Sequence, residues 1–188
     1  MAEKKKSNPE ENRKRKTLWI THTAVFIALL VVIQIVTAAL GNTIITGTLV
    51  NAVLIISVMT GGMWSGAAVA AVSPVMAKLL GIGPLWSLIP FIAAGNLVLV
   101  IVWHFLGSRK GISLFAARTA AVIAAAIVKF LVLYLGIVKI AVPLLLKLPE
   151  PQAKVISGMF SISQLITALL GGIAALPVLV SVKKASLN

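Results

Sequence analysis

Long apolar runs dominate the chain, and short polar or glycine-rich segments separate them. A helix needs roughly 20 apolar residues to cross a hydrocarbon core of about 30 Å. The chain has six such runs, the second of them short for a full crossing: about 18–40, 46–60, 63–80, 86–106, 115–142 and 155–182. The pattern therefore predicts an all-α, polytopic integral membrane protein with about six transmembrane helices.

Turn-forming residues lie between these runs. Gly61 and Gly62 separate the second run from the third, which predicts a tight hairpin at this point. Residues 143–154 contain three prolines and are predicted to form a loop. Residues 1–17 are polar and charged and are expected to form a disordered tail. The remainder, 18–184, is predicted to be a single membrane domain.

The composition agrees with this assignment. The chain of 188 residues is 60% hydrophobic and 11% charged, with a mean hydropathy of +1.07. Soluble domains are closer to a quarter charged. There is no cysteine, which excludes disulfides, thiolate metal sites and cysteine nucleophiles. The first run, about 23 residues long, is too long for the core of a cleaved signal peptide and is interpreted as a retained helix.

The net charge of +13 comes from 17 basic and 4 acidic residues. Seven of the basic residues lie within 1–17, and most others flank the apolar runs. This distribution follows the positive-inside rule and predicts that both termini are cytoplasmic, although Lys147 and Lys154 fall in predicted outer loops. Nucleic-acid binding is not expected, because the basic residues form no patch on a soluble fold. The tail is expected to contact anionic membrane lipid.

Each apolar run contains at least one strongly polar residue. Such groups are costly within a membrane and are candidate functional residues. Lys129 is too far from both ends of its run to reach water easily, and no acidic residue lies in any run. We expect an outward-opening polar pocket for an anionic or neutral ligand, with a tryptophan beside the outer loop as a possible cap. The candidate substrate-binding residues are Lys129, Asn96, Gln164, Gln34, Asn51, Trp86 and Lys78.

A structural interpretation of these residues stays open. Asparagine and glutamine in membrane helices often hydrogen-bond a neighbouring helix, and Lys78 can extend to the outer interface. Three tryptophans at the ends of the runs are expected to form an interfacial belt: Trp19, Trp86 and Trp103. No nucleophile constellation or phosphate-binding loop is present. The sequence therefore predicts no enzyme, no catalytic residues, no metal site and no cofactor.

Small residues recur at a spacing of four. Ala24 and Ala28 form one such step, and Gly62 and Gly66 form another. Faces of this kind allow two helices to approach closely. They serve either packing within the bundle or docking onto another membrane protein.

The segments 23–29 (TAVFIAL) and 61–70 (GGMWSGAAVA) carry a resemblance to a known family. Over about 18–182 the chain resembles the substrate-binding S component of energy-coupling factor (ECF) transporters, the bacterial vitamin importers. The step from Ala24 to Ala28 is similar to the family's docking motif. Many members have an acidic residue late in the third helix, where this chain has Lys78.

The resemblance implies a binding subunit in the bacterial cytoplasmic membrane that captures a vitamin-sized substrate from outside. Its partners would be a transmembrane coupling protein and two cytoplasmic ATPases, with Ala24, Ala28, Gly62 and Gly66 as docking residues. Because no acid lies in the spans, pantothenate and nicotinate rank ahead of cationic vitamins, and a pyridoxine-type vitamin also fits. Two alternatives remain: a structural or assembly subunit of a membrane complex, and a stand-alone carrier, which would need a coupling-ion site.

Overall fold

The computed structural model describes residues 9–83, 85–109, 111 and 113–185. Regular structure in these residues is helical, and the helices are α1 (Pro9–Ala38), α2 (Thr43–Leu79), α3 (Ile89–Leu106), α4 (Leu114–Leu133), α5 (Glu150–Met159) and α6 (Ile162–Ala185). A 3-10 turn, Trp86–Leu88, precedes α3, and a π-helix, Tyr134–Leu146, continues α4. Five helical stretches are long and apolar enough to span a membrane: Glu10–Ala38, Thr43–Leu79, Trp86–Leu106, Leu114–Leu146 and Glu150–Ala185. The prediction of an all-α, multi-pass membrane protein is confirmed.

Helix α2 folds back on itself at Gly62. The backbone there has φ 82° and ψ 174°, a conformation that glycine adopts without steric cost. A Cβ atom at Gly66 would lie 2.6 Å from the Cβ of Val58, whereas a straight helix would hold residues eight apart at about 12 Å. The second and third apolar runs are therefore the two arms of one helical hairpin, 43–61 and 63–79.

The α2 hairpin lies at the centre of the bundle and packs against α1, α3 and α6. Helix α1 runs parallel to the second arm, since Thr23 Oγ1 donates to Ser65 Oγ at 3.0 Å and Gln34 Nε2 donates to the Ser73 carbonyl at 3.2 Å. The first arm runs parallel to α6. A Cβ at Gly171 would lie 2.5 Å from the Asn51 side chain, so the glycine allows these backbones to approach closely.

The two opposite ends of the bundle have grooves lined by different residues. At one end, which we call the basic end, His22 of α1, Thr60 beside the hairpin turn and Lys183 of α6 line a common groove. At the other end, which we call the far end, the segment after α2 faces α5, and Lys78 lies in a groove with Gln152. The start of α1 and the end of α6 therefore share one end of the bundle.

Two predicted boundaries differ from the structure. Residues 9–17 belong to α1 instead of the predicted disordered tail, because Glu10 and Glu11 occupy the first turn, where acidic side chains favour the helix dipole. Residues 1–8 lie outside the described residues. The predicted loop 143–154 is largely helical, since the π-helix extends to Leu146 and α5 begins at Glu150. Glu150 and Lys154 form an exposed ion pair of 2.7 Å on α5.

The tryptophans do not all lie at the surface. Trp19 and Trp86 are 41% and 55% exposed, as interfacial residues would be. Trp103, by contrast, is 0% exposed and belongs to the main apolar core, so its prediction as a belt residue is wrong. Gly107 allows this burial, because a Cβ at that position would lie 2.9 Å from the Trp103 ring. Close backbone approach at Gly107 therefore makes room for the indole inside the bundle.

Candidate functional site

Lys129 is buried in the middle of the bundle and has only neutral hydrogen-bond acceptors. It lies on α4 and is 3% exposed. Its Nζ atom donates to Asn51 Oδ1 at 2.6 Å and to Asn96 Oδ1 at 2.7 Å. The sequence contains no acidic residue between 12 and 149. Among the described residues, two amide oxygens and no carboxylate therefore hold the ammonium group.

The two asparagines are themselves anchored to neighbouring helices. Asn51 Nδ2 donates to Thr167 Oγ1 of α6 at 3.5 Å, and Asn96 Nδ2 donates to the Ala70 carbonyl at 3.4 Å. Both contacts are at the long limit for hydrogen bonds and are weak. The network nonetheless connects both arms of α2 with α3, α4 and α6. This arrangement fixes the position of Lys129 relative to four other parts of the bundle.

A cavity of about 150 Å³ lies in front of Lys129. Every membrane-spanning stretch contributes to its walls, which include Gln34, Asn51, Ser73, Ile92, Asn96, Lys129, Phe160 and Gln164. Pockets for drug-sized ligands are about 300–1,000 Å³, so this cavity suits a compact solute. Its lining combines apolar side chains with amide groups, a combination that can orient a small polar molecule.

Gln34 and Lys129 offer complementary hydrogen-bonding groups to this cavity. Gln34 Nε2 donates to the Ser73 carbonyl, but Gln34 Oε1 is buried and has no partner in the described part of the chain. Lysine has three ammonium donors, and two of those on Lys129 reach the asparagines. The cavity thus presents one acceptor and one cationic donor to the same space.

A wider groove lies at the far end of the bundle, between the end of α2 and α5. It measures about 590 Å³ and contains Lys78, Gly83 and Gln152. Gly83 also lines the smaller cavity, so the two spaces adjoin at this residue. Lys78 Nζ lies 3.4 Å from the Gly83 carbonyl. The cavity around Lys129 therefore lies next to the far end of the bundle.

The structure brings together five of the seven predicted binding residues. Lys129, Asn96, Gln164, Gln34 and Asn51 all line the cavity. Of the other two, Lys78 lies in the groove at the far end, and Trp86 lines neither space and is 55% exposed.

Sequence reasoning did not single out Ser73, Thr167 or Phe160. Serine and threonine are common in membrane helices, and nothing in their spacing separates these residues from others of their type. Phe160 lies in the break between α5 and α6, within a predicted continuous helix. Their role depends on which helices become neighbours.

The predicted docking residues divide into two pairs. Ala24 and Ala28 are exposed on α1 and are available to a partner helix. Gly66 is buried against Val58, and Gly62 forms the hairpin turn. Gly66 therefore packs inside this chain and Gly62 forms the turn between the two arms, while a docking role for these glycines stays a prediction.

Comparisons of this chain with protein-family models, with curated proteins and with solved structures found no match. The functional argument therefore depends on the geometry of the site. Lys129 and Gln34 line one cavity, and Gln34 Oε1 has no hydrogen-bond partner among the described residues. Such a cavity can bind a small solute that has an anionic or hydrogen-accepting group and a hydrogen-bond donor. The same polar groups can equally hold helices together.

Proposed function

We propose that this chain is the membrane-embedded substrate-binding subunit of an ECF-type importer in a bacterial cytoplasmic membrane. It would capture a small anionic or neutral vitamin or vitamin precursor from outside. A transmembrane coupling protein and two cytoplasmic ATPases would then drive release of the substrate inward. The resemblance in the first and third apolar runs and the cavity around Lys129 support this proposal.

The proposed topology has six passes with both termini in the cytoplasm. Five stretches are long and apolar enough to span, and one of them, α2, folds back at Gly62. An even number of passes leaves both termini on one side. Basic residues cluster near both termini, and the positive-inside rule assigns that side to the cytoplasm. The groove beside Lys78 then opens outward.

The single observation that carries the proposal is the buried Lys129 ammonium at the wall of a cavity lined by every spanning stretch. An isolated buried charge is costly, and two amide oxygens offset that cost only in part. A carboxylate ligand would supply the missing negative charge. At about 150 Å³, the cavity is closer in size to a single-ring carboxylate such as nicotinate than to the longer pantothenate.

A second candidate is a structural or assembly subunit that binds no small molecule. The hydrogen bonds from Lys129 to Asn51 and Asn96 favour it, because they connect α4 to the first arm of α2 and to α3 without any ligand. In that case the polar network would only stabilise the packing of the helices against one another.

Mass spectrometry of the protein purified in mild detergent separates the two candidates. The importer subunit should retain one small carboxylate or neutral vitamin in stoichiometric amount, or take one up from a vitamin mixture. A protein that stays without bound solute after such soaking would contradict the binding proposal and favour the assembly subunit.

Docking to the coupling protein can be tested on α1. Replacing Ala24 or Ala28 with leucine adds bulk to an exposed face where close helix approach is proposed. We expect transport to fall at least about tenfold while solute binding is unchanged. Val32→Leu, at another exposed position of α1, is the matched control. Unchanged transport in both alanine variants would overturn the docking assignment.

A further inference from the structure

A second buried cation, Arg118, lies near the start of α4, away from the Lys129 cavity. Its side chain is 8% exposed, and its Nε atom is buried without a hydrogen-bond partner in the part of the chain that the structure describes. Buried polar groups in proteins are nearly always hydrogen-bonded. The unpartnered N–H at Arg118 Nε therefore suggests that a ligand from outside the chain accepts its hydrogen bond.

The groove around Arg118 is positively charged. It measures about 710 Å³ at the basic end, and its polar lining consists of Arg118, Lys183, His22, Ser108 and Thr60. Among the residues that the structure describes, no acidic side chain lines it. Glu10 and Glu11, the nearest acids along α1, precede His22 by about three turns, roughly 17 Å. Two cations and three polar side chains thus face one space without a carboxylate.

An apolar slot continues from this groove along the outside of the bundle. It measures about 370 Å³ and lies between α4 and α6, lined by Leu114, Phe115, Thr119, Leu176, Pro177 and Val180 together with Arg118. Arg118 and Leu114 line both spaces. Phe115 is 79% exposed, as a side chain facing lipid would be. The basic groove and the apolar slot therefore form one continuous surface.

We propose that this surface binds one anionic phospholipid, with its phosphate on Arg118 and Lys183 and an acyl chain in the slot between α4 and α6. Guanidinium groups bind phosphate oxygens through paired, charge-assisted hydrogen bonds. A basic groove between membrane helices, next to an apolar slot, is the arrangement that recognises anionic headgroups. A free anion would use the groove but would leave the slot without a role.

The lipid headgroup would contact residues from parts of the bundle that are distant in sequence. His22 belongs to α1, Thr60 to the first arm of α2, Ser108 follows α3, and Lys183 is in the last turn of α6. A headgroup in this groove contacts all of them at once. None of these residues lines the Lys129 cavity, so the site is separate from the proposed substrate site and does not depend on it.

Native mass spectrometry of the full chain tests the proposal. Protein released from nanodiscs containing equal amounts of phosphatidylglycerol and phosphatidylcholine should retain one phosphatidylglycerol, at least about tenfold in excess over phosphatidylcholine. Arg118→Gln and Lys183→Gln should each reduce the retained phosphatidylglycerol about tenfold. Arg118→Lys keeps the charge but loses the paired hydrogen bonds, and should reduce the retained lipid by less than Arg118→Gln does. Lys184→Gln, which removes the same charge one residue away from the groove lining, is the control.

Two further experiments distinguish a bound lipid from a free anion. Thr119→Trp fills the slot at an exposed position and should release the lipid without altering the charge. Inorganic phosphate at millimolar concentration should not displace phosphatidylglycerol. Equal retention of the two lipids, no loss in Lys183→Gln, or full displacement by phosphate would each overturn the proposal. Lys183 is exposed, so its variant remains informative even if Arg118→Gln unfolds.

Discussion

Lys129 and Arg118 are both buried cations on α4, yet they differ in their hydrogen-bond partners. Lys129 reaches two amide oxygens within 2.7 Å, whereas the Arg118 Nε has no partner among the described residues. The first cation is bound within the chain and borders a small cavity. The second borders an open groove at the basic end. The two buried cations therefore differ in whether the described part of the chain supplies their hydrogen-bond acceptors.

The largest effect should come from removing an acceptor from Lys129. Asn96→Leu preserves volume but leaves the buried ammonium with one acceptor, which should lower the free energy of unfolding by about 3 kcal/mol. Chemical denaturation in mixed micelles measures this change. In a Lys129→Met background the same substitution should cost less than about 1 kcal/mol, because no buried charge remains. Equal losses in the two backgrounds would show that Asn96 acts independently of Lys129.

Lys129→Met itself should leave the fold intact and weaken binding of the co-purified solute. The loss of one charge-assisted hydrogen bond is worth about 10- to 100-fold in affinity. Isothermal titration of the detergent-solubilised protein measures this affinity. The control is Lys139→Met, at an exposed lysine whose Nζ lies 5.5 Å from the Tyr134 ring centroid. If Lys129→Met binds the solute as tightly as the wild type, the cavity is not the substrate site.

Gly66→Ala tests the close packing of the two arms of the α2 hairpin, whose first arm carries Asn51. The added Cβ would lie 2.6 Å from the Val58 Cβ, and overpacking of this kind costs about 1–3 kcal/mol. Gly158→Ala on α5 is the matched control, because its Cβ would meet nothing within 4 Å. A thermal-shift assay should show a lower unfolding temperature for the first variant alone. Similar unfolding temperatures for both would contradict the close packing of the two arms.

The smallest effect should come from Arg118→Met in neutral detergent. Methionine keeps much of the apolar stem and removes a donor that has no partner in the described residues. We expect the free energy of unfolding to change by less than about 1 kcal/mol, towards greater stability. A loss as large as that of Asn96→Leu would mean that the chain itself holds Arg118, and the contrast between the two cations would disappear.

The candidate site was predictable in part because polar residues are rare in these apolar runs. Asn51, Asn96 and Lys129 stand out in sequence for this reason, and they meet within hydrogen-bonding distance. Trp86 was grouped with them only through its nearness to an outer loop, and it lies outside the cavity. Arg118 was not singled out, because an arginine four residues into an apolar run resembles a charge at the membrane surface.

The sequence by itself determined the class of protein, the hairpin at Gly62 and most of the polar side chains that line the cavity. Each of these follows from local composition: apolar length, a backbone that needs glycine, and scarce polar groups. Only the tertiary structure decided that Trp103 is buried, that Gly66 packs against Val58 and that Lys129 and Arg118 have different surroundings. The environment of a side chain depends on which helices pack beside it, and this packing joins residues far apart in the chain.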